Sequence, residues 1–98
     1  VDGTGNRVAA LAWGTSTVVV VASVHKICRD TVSALQRVRD IATPTNALRL
    51  GIDLPCTQVG HCLDCSHPAR SCRATLVLER APSGRTIHVI LVGETLGF

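Results

Sequence analysis

The sequence contains no methionine or tyrosine, and Trp13 and Phe98 are its only aromatic residues. Its core must therefore be aliphatic. Hydrophobic residues make up 46% of the 98 residues and charged residues 17%, which is typical of a globular chain and not of a disordered one. This length corresponds to one domain. Because no methionine precedes Val1, we expect a trimmed chain, with part of the fold and of the site ahead of that residue.

Long apolar runs and clusters of basic residues are missing as well. The apolar runs, such as residues 8 to 13 and 18 to 22, are far shorter than the roughly 20 residues of a membrane-spanning helix. The nine arginines are scattered and have no aromatic stacking partners, so the net charge of +3 does not predict nucleic-acid binding. No signal peptide is visible, and the cysteine count of five is odd. We therefore expect a cytoplasmic protein with reduced or metal-bound thiols.

Four of the five cysteines lie in one polar stretch, residues 51 to 72, which lacks hydrophobic periodicity. An unstructured connection of about 20 residues is unusual inside a compact domain, so something should hold it in place. The cysteines are the obvious candidates, and they leave gaps of five, two and six residues: Cys56, Cys62, Cys65 and Cys72. We place the fifth cysteine, Cys28, in the core.

Three interpretations of this cysteine-rich loop stay open. The four thiolates could hold a zinc ion or an iron–sulfur cluster, with His61 or His67 able to replace one zinc ligand. Metal binding in small modules can contribute on the order of 10 kcal/mol to folding. Alternatively, the Cys62-x-x-Cys65 pair could form a reversible disulfide. The third interpretation is that the thiols are buried and have no joint role.

A glycine-rich turn, DGTGNR at residues 2 to 7, precedes a predicted helix that runs to about Trp13. Backbone amides at such a turn, together with the positive end of a helix, can surround an anion. The residues that we predict to bind an anion here are Gly3, Thr4, Gly5, Asn6 and Arg7. The alternative is a turn that only caps the helix.

A valine-rich run, residues 16 to 23, shows no alternation, which predicts a strand buried on both faces as in a parallel sheet. His25 and Lys26 follow its C-terminal end, the edge at which open α/β sheets bind ligands. We predict that both residues bind the anion or transfer a proton, against the alternative of a solvated strand end. The sequence shows neither a paired-carboxylate nor a Ser/His/Asp arrangement, and it leaves open whether the chain is an enzyme.

The remaining elements predict an α/β fold with a mixed sheet and flanking helices. Asp30 is expected to cap a helix that Pro44 ends. Residues 73 to 81 and 85 to 94 are expected to form two strands of a hairpin, joined at the sequence PSG. We expect one domain over residues 1 to 98, of which 51 to 72 form the cysteine-rich loop.

Several stretches, taken in order, resemble the C-terminal half of the LUD (lactate-utilization) domain family: DGTGNRVAAL, VVVVASVHKICRD, PCTQVGHCLDC and VGETLGF. The resemblance covers nearly the whole chain, and its cysteine-loop form is similar to the stand-alone branch of the family. It implies a fold like that of the NagB/RpiA/CoA-transferase group. It also implies that an N-terminal half precedes Val1.

The family resemblance also implies a function, since the family is linked to oxidation of L-lactate to pyruvate beside iron–sulfur partners. We expect a redox-associated accessory protein or subunit that binds a small anionic metabolite and interacts with iron–sulfur redox proteins. A homo-oligomer stays open, and catalytic residues are not implied. The alternative is a non-enzymatic, metal-stabilised interaction module whose loop presents His67, Arg70 and Arg73 to a partner protein. The hypothesis that the protein is a sugar-phosphate isomerase or an acyl transferase rests on fold analogy alone, and we rank it last.

Overall fold

The computed structural model describes all residues from Val1 to Phe98, which form two compact units. The first unit joins Val1–Lys26 to Arg73–Gly97, and the second consists of Ile27–Cys72 with Phe98. A two-stranded parallel sheet lies in the first unit, and helices occur in both. The predicted α/β class is therefore confirmed.

The sheet of the first unit pairs β1, Thr17–Ser23, with β2, Thr86–Val92. Short helix α1, Asn6–Ala9, precedes β1 and continues into a π-helical turn. The predicted first strand is confirmed, but its burial on both faces is wrong, because Val19 and Val21 are 58% and 63% exposed. Alternate side chains of a strand point to opposite faces, and only one face of β1 is covered here.

The predicted hairpin is wrong. β2 pairs in parallel with β1, and the segment before it contributes only one antiparallel bridge, between Asp2 and Ala74. The sequence PSG does form a turn, in which the Arg85 amide donates to the Pro82 carbonyl oxygen at 3.0 Å. The alternating side chains of residues 74 to 79 predicted an extended segment, but alternation does not select the pairing partner.

In the second unit, three helical segments follow one another without a break: α2, Thr31–Arg37, a π-helical turn, Val38–Ala42, and α3, Thr43–Arg49. The Asp30 cap is confirmed, since its carboxylate accepts a hydrogen bond from the Ser33 amide at 2.7 Å. Pro44 does not end the helix, so that prediction is wrong. It lies in the first turn of α3, directly after the π turn, where the missing N–H of proline is tolerated.

A further short helix, α4, Pro55–Val59, begins the cysteine-rich loop. Cys56 on α4 is buried together with Leu54 and Ala47, and Ile52 packs against this cluster. The start of the predicted unstructured segment is therefore anchored to α3 by apolar packing. No helix of the chain combines the length and the apolar character that crossing a membrane would require.

Candidate functional site

The glycine-rich turn encloses a carboxylate of its own chain. Asp2 is only 4% exposed. Its Oδ1 accepts from the Thr4 amide at 3.3 Å, and its Oδ2 accepts from the Arg7 amide at 2.8 Å. The Arg7 amide is the largest cause that holds the pKa of Asp2 below its usual value, and burial opposes it. The amides of this turn therefore do bind an anion, and that anion is internal.

The anion site predicted at Gly3, Thr4, Gly5, Asn6 and Arg7 has fewer free donors than the sequence suggested. The amides of Thr4 and Arg7 face Asp2, and the Thr4 hydroxyl donates to Asn6 Oδ1 at 2.7 Å. The Arg7 side chain is 81% exposed and lies 3.6 Å from Asp2 Oδ1. It is the group at this turn through which an external anion could be held, and anion binding there stays a prediction.

Replacing Arg7 by alanine tests this turn. We expect a Tm within about 2 °C of the parent, because the Arg7 side chain is largely solvated and the backbone amide that binds Asp2 is kept. Binding of inorganic phosphate or L-lactate, measured by isothermal titration calorimetry, should weaken. Arg80→Ala, which removes another exposed arginine of the first unit, is the matched control. Equal affinity in the parent and in Arg7→Ala would remove the turn from the site.

A buried hydroxyl organises the carboxyl ends of the two strands. Ser23, the last residue of β1, is 2% exposed, and its Oγ contacts both the Glu94 carbonyl oxygen and His25 Nδ1, the latter at 2.7 Å. A carbonyl oxygen only accepts, so the single hydroxyl hydrogen points to Glu94. His25 Nδ1 must then donate to Ser23, and in the neutral ring Nε2 carries the lone pair.

Lys26 completes this edge of the sheet. It ends the short 3-10 turn Val24–Lys26 that follows β1. A Cβ built at Gly97 would lie 3.0 Å from Lys26 Nζ, so the absence of a side chain at Gly97 leaves room for the ammonium group. His25 and Lys26 thus lie where the sequence placed them, at the carboxyl end of a strand. Sequence reasoning missed Ser23, whose signal was a polar residue closing an apolar strand.

The four cysteines of the loop line one cavity of about 10 Å³, which Leu54, Arg39 and Arg70 also line. None of the five cysteines forms a disulfide, and Cys28, which is half-buried, does not line this cavity. No three histidine, cysteine, aspartate or glutamate side chains are positioned to hold a metal ion as they stand. The structure therefore brings the predicted set together around one space without forming a finished ligand set.

The Arg70 guanidinium group holds the loop closed. Its Nη1 donates to the Cys65 carbonyl oxygen at 2.5 Å, its Nε to the Cys72 carbonyl oxygen at 3.2 Å, and its Nη2 to Asp64 Oδ1 at 2.8 Å. The hydrogen bond from Arg70 Nη2 is the largest cause of the lowered pKa of Asp64. Sequence analysis offered Arg70 as a partner-facing residue, but its side chain is only 25% exposed and bonds to its own loop.

The surroundings of the individual thiols differ. Cys62 Sγ accepts a hydrogen bond from the Asp64 amide at 3.4 Å, with Asp64 in the left-handed region at φ 47°. Burial, followed by the nearby Cys65 thiol, raises the pKa of Cys56. His61 and His67 are both exposed, and neither lines the cysteine cavity.

The comparison with protein families covers both candidate regions. The family model described as LUD domain matches residues 1–92 of the chain. The chain belongs to the LUD domain family. This confirms the sequence resemblance and places the protein in a lactate-utilization-related family. The LUD match contains the glycine turn, His25, Lys26 and all four cavity cysteines, whereas Glu94 lies beyond it. No curated protein and no solved structure matches the chain.

Proposed function

We propose that this LUD-domain protein is a redox-associated accessory or subunit of L-lactate oxidation, and that it binds a small hydroxy- or oxo-carboxylate at the carboxyl ends of β1 and β2. Membership of the family supports the substrate class. The observation that carries the location of the site is the Ser23 hydroxyl, which fixes the His25 ring between β1 and the Glu94 backbone.

The His25 imidazole would recognise the hydroxyl group of the metabolite. Because Nδ1 is engaged with Ser23, Nε2 of the neutral ring is an acceptor that can take a hydrogen bond from the hydroxyl of lactate. Pyruvate has no such hydrogen, so the same ring distinguishes the two compounds. In the oxidation, the O–H and Cα–H bonds of lactate break and release two protons and two electrons. Nε2 would receive the hydroxyl proton, the Cα proton would leave to solvent, and the two electrons would pass to an iron–sulfur partner protein.

The Lys26 ammonium group would pair with the carboxylate of the metabolite. A charge-assisted hydrogen bond of this kind is shorter and stronger than a neutral one. The ammonium lies close to Gly97 in the segment that follows β2, so the carboxylate would be held at the same end of the sheet as His25. Lys26 and His25 would then contact the metabolite at two points, its carboxylate and its hydroxyl group.

A thermal-shift titration tests the proposed site. L-lactate and pyruvate should raise the Tm of the parent by mass action, and acetate, which lacks the hydroxyl and oxo groups, should do so less. Lys26→Gln should abolish both shifts, whereas the matched control Arg80→Gln should keep them. His25→Phe should weaken lactate binding about tenfold, the equivalent of one lost hydrogen bond, and pyruvate binding less. A parent protein that no hydroxy- or oxo-acid stabilises would refute the proposal.

The second candidate is a non-enzymatic interaction module stabilised by metal. The position of four cysteines around one cavity favours it, since a metal centre there would stabilise a loop that carries the exposed residue His67. This candidate predicts that no small metabolite binds at the sheet edge. The same titration therefore separates the two functions.

A further inference from the structure

Four thiols from separate points of the second unit face one small space. Cys56 comes from α4, Cys62 and Cys65 from the middle of the loop, and Cys72 from its end. Their cavity of about 10 Å³ corresponds to roughly one water-sized sphere. A space of this size suits a single ion.

Two arginines, Arg39 and Arg70, line the cavity together with the four cysteines. Their positive charge would offset the negative charge of several thiolates gathered in one small space. The Asp64 amide already donates to Cys62 Sγ at 3.4 Å. A cation between the four sulfur atoms would remove the repulsion that thiolates otherwise exert on each other.

We propose that Cys56, Cys62, Cys65 and Cys72 bind one Zn²⁺ ion as a closed, structural tetrathiolate site. Thiolate ligands select zinc among the common divalent ions, and four protein ligands leave no position open for substrate. Binding forms four zinc–sulfur bonds, and each thiol that starts protonated releases its proton to the buffer. No atom is oxidised or reduced. The centre then carries two negative charges, opposite the positive charges of Arg39 and Arg70.

Arg70 prepares the loop for this closure. Its bonds to the Cys65 and Cys72 carbonyl oxygens hold the two cysteines of the distal half of the loop at fixed backbone positions. Cys56 is held in place by apolar packing against Ala47 and Leu54. Because no three of these side chains are positioned to hold an ion as they stand, binding must draw the sulfur atoms inward to a zinc–sulfur distance of about 2.3 Å.

The fifth cysteine provides an internal control for the test. The full chain is purified under reducing conditions, stripped with a chelator and loaded with Zn²⁺ alone. Rapid alkylation followed by mass spectrometry should then modify only Cys28 in the loaded protein, and all five thiols after the chelator is added back. Equal labelling of all five thiols with and without zinc would overturn the proposal.

Cobalt substitution identifies the ligands. Co²⁺ should bind one ion per chain, show intense thiolate-to-cobalt absorption, and be displaced by Zn²⁺. Cys28→Ser should leave the spectrum unchanged, whereas serine at any of the four cavity positions should lower the apparent affinity at least about tenfold. Circular dichroism of each variant separates lost ligation from lost folding.

Two results would refute the zinc site. A brown protein as purified would indicate an iron–sulfur cluster instead. Thiols that form a disulfide, and that bind no metal after reduction, would indicate a redox pair.

Discussion

Replacing Cys62 and Cys65 together by serine should lower the Tm of the reduced, zinc-loaded protein by about 10 °C or more. The reason is mass action: an ion that binds only the folded chain stabilises it, and a pair of lost ligands removes that contribution. In the double variant, residues 51–72 should also show the least hydrogen-exchange protection of the chain, because this segment has little regular structure after α4. Differential scanning calorimetry and hydrogen exchange measure the two effects.

The fifth thiol again supplies the matched control for this double variant. Cys28→Ser should keep the parent Tm within about 2 °C, since Cys28 lies outside the cavity. Adding a chelator to the parent should reproduce the Tm of the double variant, and adding it to the double variant should change nothing. If the double variant melts like the parent under reducing conditions, the cysteines do not hold the loop through a metal.

The second large effect is expected for Asp2→Asn. Asp2 and Ala74 exchange backbone hydrogen bonds, each of 2.8 Å, while the Asp2 carboxylate holds the Thr4 and Arg7 amides of the turn. The substitution keeps the backbone bonds but replaces one oxygen of a buried carboxylate by an NH₂ group, which would face one of the two N–H donors. We expect the Tm to fall by about 5 °C or more, together with a lower urea midpoint.

The pH dependence of stability provides a separate test of Asp2. Its pKa is lower in the folded chain than the ordinary value of 3.8, so the unfolded chain takes up a proton first on acidification. The stabilisation by this carboxylate is complete above that ordinary value and is lost as the pH falls through the lowered pKa. Asp2→Asn should therefore flatten the acid side of the stability profile.

Glu79→Gln is the matched control for the acid profile, because it removes an exposed carboxylate from the same unit. Urea unfolding is measured from neutral pH down to below the ordinary aspartate value. The difference between the parent and Asp2→Asn isolates the contribution of Asp2 from those of Asp30 and Asp64, whose pKa values are also lowered. Identical acid slopes for Asp2→Asn and Glu79→Gln would contradict the internal-anion role of Asp2.

Features that depend on neighbouring residues could be predicted from the sequence. The Asp30 cap, the extent of β1 and the turn at the sequence PSG are set by hydrogen bonds or side-chain patterns within a few residues. The close spacing of the cysteines likewise predicted that they would lie near one another, and all four line one cavity, although no three are positioned to hold a metal ion. The position of His25 and Lys26 followed from the end of β1 alone.

Features that depend on distant pairing could not be predicted. The partner of β2 is set by its ladder with β1, about sixty residues earlier, and not by the adjacent segment that the hairpin prediction used. The carboxylate of Asp2 fills the glycine turn because residue 2 is fixed by its bridge to Ala74. Arg70 looked like a surface residue because nothing in a sequence shows that three acceptors surround its guanidinium group.

The division of the chain into units has a consequence for the order of folding during synthesis. The second unit is almost one continuous segment, Ile27–Cys72, whereas the first needs β1 and β2 from opposite ends of the chain. The second unit, apart from Phe98, is therefore translated in full before β2 is. Until then β1 has no ladder partner, and its valines remain an unprotected edge on which a nascent chain could aggregate.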